Sequence, residues 1–214
     1  VQTARWAPPR EAAALACPEP DLGRVGSSLG PDALVSSFDG AGCVLVPDPE
    51  GPGRAAELRR GAGPLRAALG PAGPLSTIGF SWRVARLAMR ARDEGAIEAK
   101  GLIRSDDHLG PLLLYEGRAL VDRIAARRLG GLDELTPAAR ERLERTALAY
   151  LSHRANAAAT ARALHLHPQT VRYRLARLRE LLGDSLDDPV AHFELEAALR
   201  RRARPARGPA GQCS

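Results

Sequence analysis

The sequence predicts a small α+β domain followed by an all-α helix-turn-helix domain, and three observations carry that expectation. The middle of the chain mixes two patterns: Gly42-Cys43-Val44-Leu45-Val46, stopped by Pro47, reads as a strand, while Val84, Leu87, Ala88 and Ala91 recur at helical spacing. From Thr136 onward only helical patterns and short turns remain. Charge divides the same way: residues 1–135 hold 17 basic and 17 acidic side chains, and residues 136–214 hold 14 Arg against 8 acids, which is the whole net charge of +6.

Bulk properties bound the rest. A chain of 214 residues holds one large domain or two small ones. It is 44% hydrophobic but only 4% aromatic, so its core must be built from Leu, Val and Ala, which favours helix. The 17 Pro and 21 Gly imply that a sizeable part is loop. Cys17, Cys43 and Cys213 are far apart and form no CxxC or Cys/His cluster, so free thiols in a reducing cytoplasm are expected, with no metal and no cofactor. No apolar run approaches the roughly 18 residues of a membrane span, and Val1 to Pro20 lacks a basic-then-apolar leader pattern. The first residue is Val1 rather than Met, as in a fragment lacking an N-terminal sensory region or a chain with an alternative start.

Taken in order, residues 1–31 read as a loose lead-in, broken by Pro8-Pro9, Pro18 and Pro20. Residues 32–130 read as the α+β domain. The strand at Gly42 to Val46 is followed by a turn-rich loop from Pro49 to Gly53. A helix is expected from Arg54 to Leu69, weakened by Gly61, Gly63 and Pro64, then a second strand from Ser76 to Phe80. Helices follow at Trp82 to Ala96 and Leu120 to Leu129, with a short apolar segment at Leu112 to Tyr115. Residues 136–203 read as four helices. Thr136 caps the first, with Pro137 at its first position, running to about Ser152. Asn156 caps the second, to about Leu164. His165-Leu166-His167 makes a turn, Pro168 opens a third that ends at Leu182 before Gly183, and Asp188-Pro189 starts a fourth to about Arg202. Residues 204–214 read as a disordered tail.

The third helix carries the function. At 100° per residue Val171, Leu175, Leu178 and Leu182 fall within about 60° of one another, a narrow core stripe. Gln169, Arg172, Tyr173, Ala176 and Arg177 fall on the other side, and the helix holds four Arg (Arg172, Arg174, Arg177, Arg179) against one acid, Glu180. Ala161 is small enough for the preceding helix to cross closely, and Leu164 and Leu166 flank the turn. A short helix, a three-residue turn and a basic helix make a helix-turn-helix. The N-terminal end of its second helix enters the major groove, where Gln can pair with adenine and Arg with guanine. His167, Gln169 and Arg177 are assigned DNA contacts from this geometry, and the wheel puts Arg174 at the flank, toward phosphate.

The run NAAATARALHLHPQTVRYRLARLRELLG from Asn156 to Gly183 resembles the C-terminal helix-turn-helix of the PucR/CdaR-like bacterial regulators, of the actinobacterial type. The matching residues are Tyr150-Leu151, Asn156, Thr160-Ala161, Leu164, His167-Pro168, Thr170 to Leu175 and Leu182-Gly183, with Leu186-Asp187-Asp188 and Leu195…Ala198-Leu199 downstream. The region before it resembles the GGDEF-like domain of that family, in a truncated form. The resemblance implies a cytoplasmic, nucleoid-associated transcription regulator, often an activator of metabolic genes. It assigns DNA contact to Thr170, Arg172, Tyr173 and Arg174. Double-stranded DNA is the expected partner of a homo-oligomer, because symmetric dimers read paired half-sites. A small-molecule effector is left open.

Other patterns weigh less. Gly130-Gly131-Leu132-Asp133-Glu134-Leu135 is similar in letters to the diguanylate cyclase signature, but a helical pattern precedes it and a helix cap follows, so it reads as an interdomain linker and no enzyme is expected. Gly26-Ser27-Ser28-Leu29-Gly30 fits GxSxG without the strand a nucleophile elbow needs, and reads as a flexible turn. His153, His165, His167 and His192 match no metal-ligand spacing. The alternative to DNA recognition is a protein-interaction module whose Arg-rich helix docks an acidic partner.

Overall fold

Ala12–Cys17 is a strand, β1, in the middle of a five-stranded sheet, and all six of its residues are buried. The computed structural model describes residues 9–62 and 64–203, which fold as two units that divide between Glu116 and Gly117.

In the N-terminal unit, β1 leads through a 3-10 turn to helix α1 (Leu22–Ser28), then to the hairpin of β2 (Leu34–Phe38) and β3 (Ala41–Pro47). Helix α2 (Arg54–Gly61) and β4 (Ala67–Leu69) follow, then α3 (Ile78–Asp93), β5 (Leu102–Arg104) and α4 (Leu109–Glu116). The strand order is β2-β3-β1-β4-β5. Neighbours are antiparallel except β4 and β5. The first six elements therefore form a split βαβ arrangement, β-α-β-β-α-β, with β3 lying between β2 and β1. One face of β1 (Ala13, Leu15, Cys17) packs in a cluster with Val25, Leu29 and Leu58. Its other face (Ala14, Ala16) meets Trp82 and Ala85 of α3. Small side chains on both elements let helix and sheet approach closely. The approach is tightest at Gly70, where a Cβ would stand 2.0 Å from the Ser81 carbonyl oxygen.

Several sequence expectations change here. Residues 9–31 are not a loose lead-in: they supply the central strand and α1, because two covered faces make even an alanine-rich segment worth extending. Residues 1–8 lie outside the described residues. The helix from Arg54 stops at Gly61, and Ala67–Leu69 pairs with β1 and β5 instead of continuing it. Ser76 to Phe80 is not a strand: a 3-10 turn (Leu75–Thr77) leads straight into α3, in which Ile78 packs against the core while Phe80 stays exposed. The GxSxG letters lie largely within α1, where the Ser27 and Ser28 hydroxyls donate to the Gly23 and Val25 carbonyls at 2.8 and 2.7 Å.

The C-terminal unit is helical: α5 (Arg118–Leu129), α6 (Pro137–Ser152), α7 (Ala157–Ala163), α8 (Pro168–Leu182) and α9 (Pro189–Arg202). Its core gathers Leu129, Leu132, Ala147, Val171, Leu178 and Leu195 into one cluster. Gly130 to Leu135 lies within this unit and is not an interdomain linker: Leu132 joins the core and Leu135 packs against it. The segment forms a 3-10 turn (Gly130–Leu132), Leu132 is fully buried, and a Cβ on Gly131 would stand 2.3 Å from the Leu181 carbonyl oxygen. Helix α5 belongs to this unit, since Arg128 pairs with Glu194 of α9 at 2.6 Å. The expected tail, residues 204–214, lies outside the described residues. Among the described residues no helix is long and apolar enough to cross a membrane.

Candidate nucleic-acid interface

Three short devices position α7 and α8. The Asn156 side chain accepts from the Ala159 N–H at 2.9 Å and so caps α7. The last turn of α7 closes with His165 N–H to the Arg162 carbonyl (3.2 Å) and Leu166 N–H to the Ala161 carbonyl (2.9 Å). That is a Schellman motif, and it requires a left-handed residue after the cap. His165 fills that place at φ +52°, where glycine is the usual occupant. His167 then caps α8, with Nδ1 accepting from the Gln169 N–H at 3.2 Å, and Pro168 takes the first helical position. A ring nitrogen that accepts carries no hydrogen, so the donor of a neutral His167 is Nε2.

Helix α8 divides as its sequence predicts. Val171, Leu175, Leu178 and Leu182 are buried. His167, Gln169, Arg172, Tyr173 and Arg177 are exposed, Tyr173 at 73%, and Thr170 and Arg174 are half-buried. Ala176, also exposed, keeps the centre of that face low. The seven predicted contact residues thus share one helix and the residue that caps it.

The four arginines of α8 differ in their partners. Arg177 pairs with Glu180 at 2.6 Å. Arg179 makes a two-pronged pair with Asp187 at 2.6 and 2.9 Å. That bond holds the Asp187 carboxyl below its usual range. Arg174 donates to Thr146 Oγ1 at 3.3 Å, and Thr146, itself fully buried on α6, donates to the Arg142 carbonyl at 2.8 Å. Among the described residues, Arg172 alone of the four has neither an ion pair nor a side-chain hydrogen bond. The first turn of α8 contains no acid. Its outward end is therefore uncancelled positive potential: a helix N-terminus plus a free guanidinium.

Sequence reasoning did not single out three residues. Arg154, at φ +54° in the turn before α7, and Arg162 on α7 are both exposed cations of this module. Thr146 orients Arg174 from another helix, a link that no local pattern carries. Two histidines outside the turn have structural partners: the His153 ring lies 2.8 Å from the Ala149 carbonyl and the His192 ring 2.9 Å from the Leu186 carbonyl. No group of three or more His, Cys, Asp or Glu among the described residues is placed to hold a metal.

Residues 143–201 match the PucR C-terminal helix-turn-helix domain, which takes in most of α6 and all of α7, α8 and nearly all of α9. No curated protein sequence matches the chain. Among solved structures, the chain is similar to a regulator of polyketide synthase expression from Bifidobacterium adolescentis, at 18% identity over 94% of this chain and 84% of that one, with a TM-score of 0.42. Over its α7–α8 pair and their supporting helices the chain is thus similar to the PucR C-terminal helix-turn-helix domain, and a DNA-binding transcription regulator is the role that this match supports.

Proposed function

We propose that α8 is the recognition helix of a sequence-specific regulator of bacterial genes, reading base edges in the major groove. The observation that carries this is its outward face, where Gln169, Arg172 and Tyr173 stand exposed at the N-terminal half of a capped helix whose opposite stripe is buried. Arg172, free of any partner, is assigned to a guanine, where a guanidinium makes two hydrogen bonds. Gln169 suits an adenine, and Tyr173 offers a ring to thymine methyls. His167 through Nε2, Thr170 through its hydroxyl, and Arg174 at the flank are assigned to phosphate. Arg177 is assigned there too: its pair with Glu180 is half-exposed, and such pairs are worth only about 0–1 kcal/mol, so it exchanges readily for a phosphate oxygen.

The N-terminal unit is proposed as the regulatory and oligomerising part, the GGDEF-like element of the sequence resemblance. Its split βαβ sheet and its edge strand β2, exposed along its whole length, support that reading. A homo-oligomer would set two α8 helices against paired half-sites on cytoplasmic DNA.

Selection of bound sequences from random duplex DNA at near-physiological salt tests the proposal. An enriched motif, palindromic or repeated, is expected. Against that motif, Arg172→Ala should flatten preference at one base position, by about 1–3 kcal/mol of discrimination. Arg177→Ala should instead weaken binding to every sequence alike. Recovery of unenriched DNA would transfer the α8 face to an acidic protein partner.

A further inference from the structure

The turn of the β2–β3 hairpin and one side of α3 enclose a groove of about 490 Å³ in the N-terminal unit. That volume lies within the roughly 300–1,000 Å³ of small-molecule sites. Its walls are aromatic. Phe38 meets the edge of Trp82 with ring centroids 6.0 Å apart, and Phe80 stands on the same groove. Phe38 is 60% exposed and Phe80 52%. The whole chain has only three Phe, two Trp and three Tyr, and the core of this unit is mostly Leu, Ala and Val, with Trp82 and Tyr115 as its buried aromatics. Two phenyl rings left open beside a tryptophan therefore do not serve the core.

The same groove is cationic. Arg83, Arg86 and Arg90 recur at spacings of three and four on α3, so one stripe of the helix lines it. Arg86 lies 5.5 Å over the Trp82 ring, donates to the Asp39 carbonyl at 2.8 Å, and stands 3.4 Å from the Asp39 carboxylate. Arg90 is 3.9 Å from the Glu116 carboxylate. Arg83 is exposed and has no ion pair among the described residues. Three guanidinium groups thus face two carboxylates, which leaves one positive charge unmatched at the lip of an aromatic slot.

We propose that this groove is a binding site for a planar organic monoanion, an aromatic ring bearing one carboxylate. The ring would pack against the exposed Phe38 and Phe80, with the largely buried Trp82 as the floor behind them, and the carboxylate would take the guanidinium fork of Arg83. Offset and edge contacts between rings supply orientation. The planar fork matches a carboxylate through two parallel hydrogen bonds, which a nonpolar ring alone would leave unused. The site is independent of the reading of α8, since every residue it uses lies in the N-terminal unit.

Calorimetric titration of the full chain with 2-naphthoate tests it. Saturable one-site binding is expected, weakened about threefold or more by Arg83→Gln, which removes one charge-assisted pair at an exposed position. Phe80→Ala should weaken it as well, with the helical circular dichroism unchanged. Naphthalene-2-methanol, which keeps the ring, and cyclohexanecarboxylate, which keeps the charge, should both bind at least about tenfold more weakly than naphthoate. No saturable binding, equal binding of the uncharged ring, or an Arg83→Gln chain that binds as the parent does would each overturn the proposal.

Discussion

His165 stands at the C-terminal end of α7 with φ +52°, where backbone geometry and side chain disagree. An L-residue in the left-handed region costs about 1–2 kcal/mol, less for His than for a branched side chain, and glycine removes that cost while adding some entropy to the unfolded chain. The Schellman bonds from His165 and Leu166 use only backbone atoms, so they survive the change. His165→Gly should therefore raise stability by about 1 kcal/mol, read as a rise of roughly 4–8 °C in the melting temperature of the helical unit. An unchanged or lower midpoint would mean that the imidazole makes a compensating contact. Arg154 and Ala155, at φ +54° and +57°, close α6 by the same pair of bonds, with Arg154 N–H to Leu151 and Ala155 N–H to Tyr150. Helices α6 and α7 thus both end on a motif that favours glycine without having one.

At the scale of elements, α8 is a helix whose stability lies on one stripe and whose chemistry lies on the other. Leu178 is fully buried, so Leu178→Ala should cost about 2–5 kcal/mol, measured by urea unfolding followed by circular dichroism. Tyr173→Ala, at a side chain that is 73% exposed, should leave the same transition within about 0.5 kcal/mol while reducing DNA affinity. Equal destabilisation by the two would remove the division between stripes. This division was legible in the sequence because a surface helix repeats its apolar positions every three or four residues and announces its ends: Asn156, Pro168, Gly183 and Asp188 all sit where capping chemistry predicts. Thr136 also holds the expected cap position of α6, but its side chain makes no capping bond. β1 was not legible. A strand covered on both faces shows no alternation, and Ala12-Ala13-Ala14 alone favours helix, so only the pairing with β3 and β4 decides its conformation. β4 and β5, three residues each, are too short to carry a pattern at all. The same contrast holds within the site. The outward set from Gln169 to Arg177 follows from helix geometry, whereas the Thr146–Arg174 bond depends on how α6 meets α8 and spans 28 residues of sequence.

At the scale of the molecule, the helix-turn-helix rests on a core of its own. The buried cluster beneath α8 draws on residues from Ala125 to Leu199 and on none from the N-terminal unit. Ion pairs tie its last helix to the rest: Arg201 reaches Asp122 on α5, and Arg202 reaches Asp133 in the turn after α5 and Glu144 on α6. A unit with its own core and its own closing contacts should fold when excised. A fragment of residues 117–203 is therefore expected to be helical and to melt in a single cooperative transition. Its net positive face should also bind the operator selected with the full chain. Each phosphate it neutralises contributes a slope of about −0.9 to the logarithmic salt dependence, so the fragment and the full chain should share the slope per recognition unit. Absolute affinity should fall in the fragment, because the paired arrangement assigned to the N-terminal unit holds two recognition helices at a high effective concentration. Undiminished affinity would place oligomerisation on the helical unit instead, where Val190 and Phe193 of α9 stand 83% and 70% exposed. A fragment that fails to fold would show that the α5–α9 core depends on the sheet domain despite its separate cluster.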